Sequence, residues 1–135
     1  MLSVSYAEKA DKSFWFSLDR HMWEETYEAK IKEKTCYILR EGDLPVGIMR
    51  YGLFWDNTPF LNLLYLQGAF RGRGLGRQAM AHWEDEMQAA GFRMVMTSTQ
   101  ADEGAQHFYR KLGYRDAGSL ILSGEPLEII MIKEL

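Results

Sequence analysis

Leu2, Val4 and Tyr6 alternate with Ser3 and Ser5, a period of two that predicts a short strand at the start of the chain. From Ala7 to Glu33 the apolar spacing lengthens to that of a helix, in two pieces with a break near Ser17–His21. In the second piece Trp23, Tyr27 and Ile31 recur every four residues, which predicts one buried face. Thr35–Arg40 is rich in β-branched and aromatic side chains, Glu41-Gly42-Asp43 supplies turn chemistry, and Pro45–Leu53 reads as the partner strand of a hairpin. Asp56-Asn57-Thr58-Pro59 marks a second turn. The nearly continuous apolar run Phe60–Leu66 that follows has the pattern of a strand buried on both faces.

Beyond Gly68 the pattern changes. Arg71-Gly72-Arg73-Gly74-Leu75-Gly76-Arg77 leads into a helix-period stretch reaching Ala90. Met80, Trp83 and Met87 mark its buried stripe, and Gly91 sits where a left-handed C-terminal cap belongs. Arg93–Thr99 alternates as a strand, with Met94 and Met96 on one face. Glu103–Leu112 reads as a short helix with Ala105, Phe108, Tyr109 and Leu112 on one side and Gly113 as its stop. Tyr114–Leu122 and Glu128–Lys133 are closing strands around a Gly124-Glu125-Pro126 turn. A meander of strands with a strand–helix–strand crossover in its middle predicts a mixed α/β (α+β) fold with one largely antiparallel sheet.

Composition narrows the class. The 135 residues suit one domain, 1–135, with no Ser/Gly/Pro-rich linker and no repeat to divide them. At 47% hydrophobic and 26% charged, the chain is of the globular kind rather than disordered. Sixteen Lys and Arg against nineteen Asp and Glu leave a charge of −3, so no nucleic-acid partner is expected. The longest apolar runs, Leu63–Leu66 and Ile129–Ile132, are too short to cross a bilayer, so no membrane partner is expected either. Glu8, Lys9, Asp11 and Lys12 precede any sustained apolar stretch, unlike a signal peptide. A single cysteine, Cys36, makes no internal disulfide and suits a reducing compartment, so a cytoplasmic location is expected.

The glycines at 72, 74 and 76 have a specific physical use between a strand and a helix. They remove side chains so that successive backbone N–H groups can approach an anion, and the helix N-terminus adds its dipole. Arg71, Arg73 and Arg77 add cations, so the segment reads as a phosphate or pyrophosphate cradle; the alternative is a tight turn with solvated arginines. A P-loop would continue Gly-Lys-Ser/Thr, whereas Gly76 is followed by Arg77-Gln78. Gly74-x-Gly76-x-x-Ala79 satisfies a permissive dinucleotide fingerprint, but too few residues follow it for a doubly wound fold.

The loop resembles that of the GNAT superfamily of acyl-CoA-dependent N-acyltransferases, whose pattern R/Q-x-x-G-x-G/A is met by Arg71-Gly72-Arg73-Gly74-Leu75-Gly76. The family's second pattern, N-x-x-A-x-x-(F/L)-Y-x-x-x-G-(F/Y), is met by Ala105, Phe108, Tyr109, Gly113 and Tyr114, with Asp102 where asparagine is usual. The resemblance spans the chain and implies a GNAT-like sheet of about six to seven strands flanked by about four helices.

For chemistry, the resemblance implies acetyl-CoA as co-substrate and acetyl transfer to a primary amine by direct attack in a ternary complex. In such proteins the fourth and fifth strands splay and the pantetheine arm lies between them. By that likeness the main chain of Leu64, Tyr65 and Leu66 would bind the arm, and an N–H near Leu66 would serve the thioester oxygen. Amides of Gly72, Arg73, Gly74, Leu75, Gly76 and Arg77 would hold the pyrophosphate, with Arg71, Arg73 or Arg77 reaching its oxygens. Tyr109 would be the general acid that protonates the leaving thiolate; by helical spacing alone it is a core residue. Asp102 would accept a hydrogen bond from the cofactor, or else cap its helix.

No acid lies on Phe60–Leu66, where many relatives carry a glutamate, which leaves Asn62, Tyr65, Asp56 and His21 as candidates for drawing off the amine proton. The acceptor site is expected along the first two helices and the loop after them. There Glu24, Glu25 and Glu28 beside Trp23 and Tyr27 suit a cationic amine, small molecule or peptide; Glu24 and Glu25 equally suit a solvated helix N-terminus. His21, His82 and His107 lack metal-ligand spacing, so no metal is expected, and Cys36 reads as core. The C-terminal edge strands would allow a homodimer. Rival readings are a non-catalytic acyl-CoA-binding sensor and a generic nucleotide-binding module.

Overall fold

A computed structural model describes residues 1–135. Its elements are β1 (Leu2–Tyr6), α1 (Lys12–Leu18), α2 (Glu24–Glu33), β2 (Cys36–Glu41), β3 (Leu44–Phe54), β4 (Thr58–Leu66), α3 (Leu75–Ala89), β5 (Met94–Gln100), α4 (Ala105–Lys111), β6 (Arg115–Leu120) and β7 (Glu128–Glu134). Tight helical turns at Lys9–Asp11 and Gly68–Phe70 lead into α1 and the loop before α3. The strands form a seven-stranded sheet in the order β1-β2-β3-β4-β5-β7-β6. β1–β2, β2–β3, β5–β7 and β6–β7 pair antiparallel, and β4–β5 pairs parallel, as the crossover through α3 requires. The mixed, largely antiparallel sheet expected from the pattern is the one observed.

The chain packs as two compact units, Met1–Gly52 with Leu63–Trp83, and Leu53–Asn62 with Glu84–Leu135. In the first, Ala7, Trp15, Tyr27, Cys36, Ile38 and Ile48 form a buried core. Cys36 through Leu39 are all buried, because β2 lies between β1 and β3 and is covered on both faces. The helical break falls at Asp19, whose extended backbone ends α1 and whose carboxylate accepts the N–H groups of His21 (3.0 Å) and Met22 (3.3 Å). Trp23 does not join the face predicted for it: α2 begins at Glu24, and Trp23 precedes it as an N-cap residue that is 76% exposed. Tyr27 alone of that stripe is fully buried, its hydroxyl donating to the Glu8 carbonyl at 2.7 Å.

Two expectations for β4 are corrected. Pro59 belongs to the strand, not to the turn, which is built instead by Trp55 and Asp56 at φ of +57° and +62°. Nor is the strand covered on both faces, since Asn62 and Tyr65 are exposed. Polar Asn62 and the phenol end of Tyr65 tolerate solvent where an unbroken Leu/Val run would not.

In the second unit β5 pairs with β7 along its length, from Met94↔Glu134 to Gln100↔Glu128. Its buried residues include Met87, Val95, Met96, Tyr109, Tyr114, Ile129 and Met131. Glu84 near the end of α3 binds both the Tyr114 hydroxyl (2.8 Å) and the Lys133 ammonium (2.7 Å), tying that helix to the closing strands. β6 is shorter than the Tyr114–Leu122 strand expected and is exposed throughout. It is the last strand of the sheet, paired with β7 alone, with a register shift between Asp116 and Gly118.

Candidate active site

The glycine loop lies in the first unit. After β4, the Gly68–Phe70 turn is closed by bonds from Phe70 N–H to the Gln67 carbonyl (2.9 Å) and from Arg71 N–H to the Gly68 carbonyl (3.3 Å). Gly72 and Gly74 are left-handed, at φ of +75° and +79°, and nothing lies within 4 Å of where a Cβ would stand on either. Backbone conformation, not crowding, demands glycine there. Left-handed residues alternating with ordinary ones turn successive N–H groups toward a common side, which makes a concavity for anions. The Gly74 carbonyl accepts the Gln78 N–H at 3.2 Å and so opens α3, whose first turn holds no acidic residue. Leu75 is buried and anchors that turn.

The three arginines divide. Arg71 donates from Nε to the Leu66 carbonyl at 3.0 Å and stacks over Tyr65, 4.9 Å from its ring centre. Arg73 pairs with Glu41 at 2.8 Å. Arg77 is exposed and has no polar partner in the chain. Arg71 and Arg73 therefore have partners within the chain, and Arg77 has none. Leu64 and Leu66 are half-buried, as strand residues whose main chain rather than side chain would bind.

Tyr109 and Asp102 lie in the second unit. Tyr109 is buried on α4, edge-on to the rings of Phe108 (5.1 Å) and Tyr114 (5.6 Å). Burial pushes its phenol up to about 12, while a hydrogen bond with the Thr97 hydroxyl works in the opposite direction. The group therefore holds its proton at neutral pH. Thr97 also donates to the Leu61 carbonyl at 3.0 Å, clamping β5 to β4 beside the register pair Leu61↔Thr97. Asp102 is exposed and does not cap α4: the N-cap is Gly104, with no side-chain cap bond. The capping alternative is thereby removed.

Among the other candidates, Asn62 and Tyr65 are exposed on β4, and Asp56 sits in the β3–β4 turn. His21, His82 and His107 join no group of side chains that could hold a metal ion. Cys36 is fully buried, and its thiol is pushed up to about 12 by burial, so it is a core residue and no nucleophile. Glu24 and Glu28 do not stand free beside aromatics: both reach Lys12, at 3.1 and 3.8 Å. Sequence patterning passes over Thr97, Asp19 and Arg50, because no periodicity distinguishes a buried polar residue with a partner far along the chain.

The fold is shared with solved N-acetyltransferases. The ribosomal-protein-S18-alanine N-acetyltransferase of Escherichia coli superposes with a TM-score of 0.81 at 20% identity, over 99% of this chain and 94% of that one. Arabidopsis thaliana Naa50, in complex with the bisubstrate analogue CoA-Ac-MVNAL, gives 0.80 at 15% identity, over 99% of each chain. The PaiA N-acetyltransferase of Thermoplasma acidophilum, in complex with coenzyme A, gives 0.77 at 16% identity, over 100% and 99%. No curated protein matches in sequence. The acetyltransferase (GNAT) family model matches residues 4–114, and the chain belongs to that family. By family it is an acetyltransferase, and the non-catalytic acyl-CoA-binding alternative has no supporting observation. No helix is long and apolar enough to cross a membrane.

Proposed function

We propose that this acetyltransferase moves an acetyl group from acetyl-CoA to a primary amine by direct attack in a ternary complex. The observation that carries the reading is the glycine loop: left-handed Gly72 and Gly74 with open space above both, followed by the N-terminus of α3 and the unpartnered Arg77. Such a loop fits a pyrophosphate, and the coenzyme supplies the activated thioester.

The chain's own residues then have separate tasks. Amides from Gly72 to Arg77 hold the pyrophosphate, with Arg77 as the free cation and Arg71 and Arg73 keeping the loop in shape. The main chain of Leu64, Tyr65 and Leu66 binds the pantetheine arm. A backbone N–H near Leu66 serves the thioester oxygen, whose charge grows during attack. Tyr109 gives its proton to the departing thiolate, a role consistent with a phenol kept protonated by burial. Asp102 accepts a hydrogen bond from the coenzyme. No carboxylate on β4 takes the amine proton, so the amine enters neutral or loses its proton to water. The acceptor is a small-molecule or peptide amine taken beside α1 and α2. The single free cysteine supports a cytoplasmic setting.

Calorimetric titration with acetyl-CoA, and with CoA, ATP and NAD in parallel, tests the loop. Saturable binding selective for acetyl-CoA and CoA is expected; equal binding of ATP and NAD would replace this reading with a generic nucleotide site. A thiol-release screen across amines then tests catalysis.

A further inference from the structure

The segment between α1 and α2, where the acetyl-transfer reading seats an amine acceptor of no stated chemistry, carries a cavity. Its volume is about 210 Å³, and it is lined by His21, Met22, Trp23, Thr26 and Arg50. That is below the roughly 300 Å³ at which pockets for whole drug-sized ligands begin, and suits the polar head of a small molecule.

Arg50 decides the chemistry. Its side chain is 14% exposed, and its Nε donates at 3.0 Å to Oδ2 of Asp19, whose side chain is wholly buried. The same Oδ2 accepts from the Trp15 indole at 3.1 Å, and Oδ1 accepts the two backbone N–H groups of the loop. Asp19 is thus saturated and holds the guanidinium by one edge. The Nη nitrogens have no hydrogen-bond partner in the chain. A guanidinium clamped by one edge offers the other as a pre-set fork for a planar carboxylate.

The rest of the lining agrees. The Thr26 hydroxyl is a further donor, and the exposed Trp23 ring is an apolar rim. No carboxylate lines the cavity: Asp19 lies behind Arg50, and Glu24 and Glu28 are drawn toward Lys12. The lining is rich in donors and poor in acids, the reverse of a site for a bare cationic amine.

We propose that this cavity is a carboxylate subsite, and that the acceptor is a small amine bearing a carboxylate, of the amino-acid class. The second half of the proposal rests on the acetyl-transfer reading; the first does not.

The test separates the two. In ¹⁵N-labelled protein, the Thr26 amide and Trp23 indole resonances are followed during titration with L-amino acids and with their carboxamides. Thiol release from acetyl-CoA is measured with the same pairs. Saturable shifts with the acids and not the amides are expected, with kcat/KM favouring the acid by about tenfold or more. Thr26→Val should reduce that preference about threefold or more while leaving acetyl-CoA affinity unchanged. Arg50→Lys should abolish the preference, and because it disturbs the buried Asp19, its folding is checked by circular dichroism and Thr26→Val carries the test if it fails. Equal turnover of acids and amides by a protein that binds acetyl-CoA would overturn the subsite and leave the acetyltransferase standing. Shifts with the acids in a protein that binds no acetyl-CoA would uphold the subsite and sink the coenzyme assignment.

Discussion

A Cβ placed on Gly47 would lie 2.6 Å from the carbonyl oxygen of Tyr65 and 2.8 Å from Cδ2 of Leu66. The glycine in β3 is therefore what lets this part of β4 sit where it does, with the Gln67 N–H bonded to the Val46 carbonyl at 2.9 Å just beyond. Backbone oxygen cannot yield as a flexible side-chain end does. Gly47→Ala is expected to destabilise the protein by about 1–3 kcal/mol, the usual cost of overpacking. Acetyl-CoA binding should weaken as well, since Tyr65 and Leu66 are assigned to the pantetheine arm. Urea midpoints and calorimetry check the two separately, and wild-type affinity in a destabilised variant would detach this stretch of β4 from the coenzyme.

The loop allows a cleaner separation. Gly74→Asp puts a side chain on a left-handed residue, at a backbone cost of about 1–2 kcal/mol, and brings a negative charge to the proposed cradle. Arg77→Ala removes an exposed cation with no polar partner in the chain, so stability should be unchanged. Losing a charge-assisted contact of about 1.5 kcal/mol would lower acetyl-CoA affinity roughly tenfold. Calorimetry on both variants, with thermal midpoints alongside, is the check. An Arg77→Ala protein that binds acetyl-CoA as the wild type does would return this arginine to the solvent.

The sequence pattern was most informative where a single period ran unbroken. Met80, Trp83 and Met87 are buried as their spacing predicts, and the left-handed stops at Gly91 and Gly113 fall where glycine stands. It failed where a local element ended early. Trp23 fits a four-residue stripe on paper, yet the buried Asp19 carboxylate stops α1 and bends the chain, so that α2 begins one residue after Trp23. Phe60–Leu66 is apolar enough for a doubly covered strand, but hydrophobicity carries no information about which face its neighbours leave bare. In the site, the glycine loop was legible because φ above zero restricts residue type. The Asp19–Arg50 pair was not, since its two members stand far apart in the chain and each is unremarkable alone. The close approach at Gly47 was not read from the pattern, although a glycine inside a strand is of the kind that marks it.

Tyr109→Phe isolates the proton donor. The ring packing against Phe108 and Tyr114 is kept, and the Thr97 hydroxyl keeps its bond to the Leu61 carbonyl, so the fold should hold. Removing a general acid typically costs about 100-fold or more in rate. The expected result is a fall in kcat of that order with acetyl-CoA affinity little changed, read by thiol release and calorimetry. Full activity in the phenylalanine variant would leave Tyr109 as a core residue only.

Alkaline pH should unfold the protein through groups that burial keeps protonated. The phenols of Tyr27 and Tyr109 and the thiol of Cys36 are each pushed up to about 12 by burial. Tyr114 is raised by burial and then by Glu84, which accepts its hydroxyl. In the unfolded chain these groups return to about 10 for tyrosine and about 8.5 for cysteine. Between the unfolded and folded values the unfolded state releases protons that the folded state still holds, so the equilibrium moves toward unfolding as pH rises. Stability is therefore full below about pH 8.5, and each group then removes about 1.4 kcal/mol per pH unit above its unfolded value, up to its folded one. Urea midpoints taken from pH 7 to 11 should begin to fall above about pH 8.5 and steepen above about pH 10, where the tyrosines join. Cys36→Ala, whatever its cost at neutral pH, should delay the onset to about pH 10. An onset unmoved by that substitution would mean that the thiol is not what first yields.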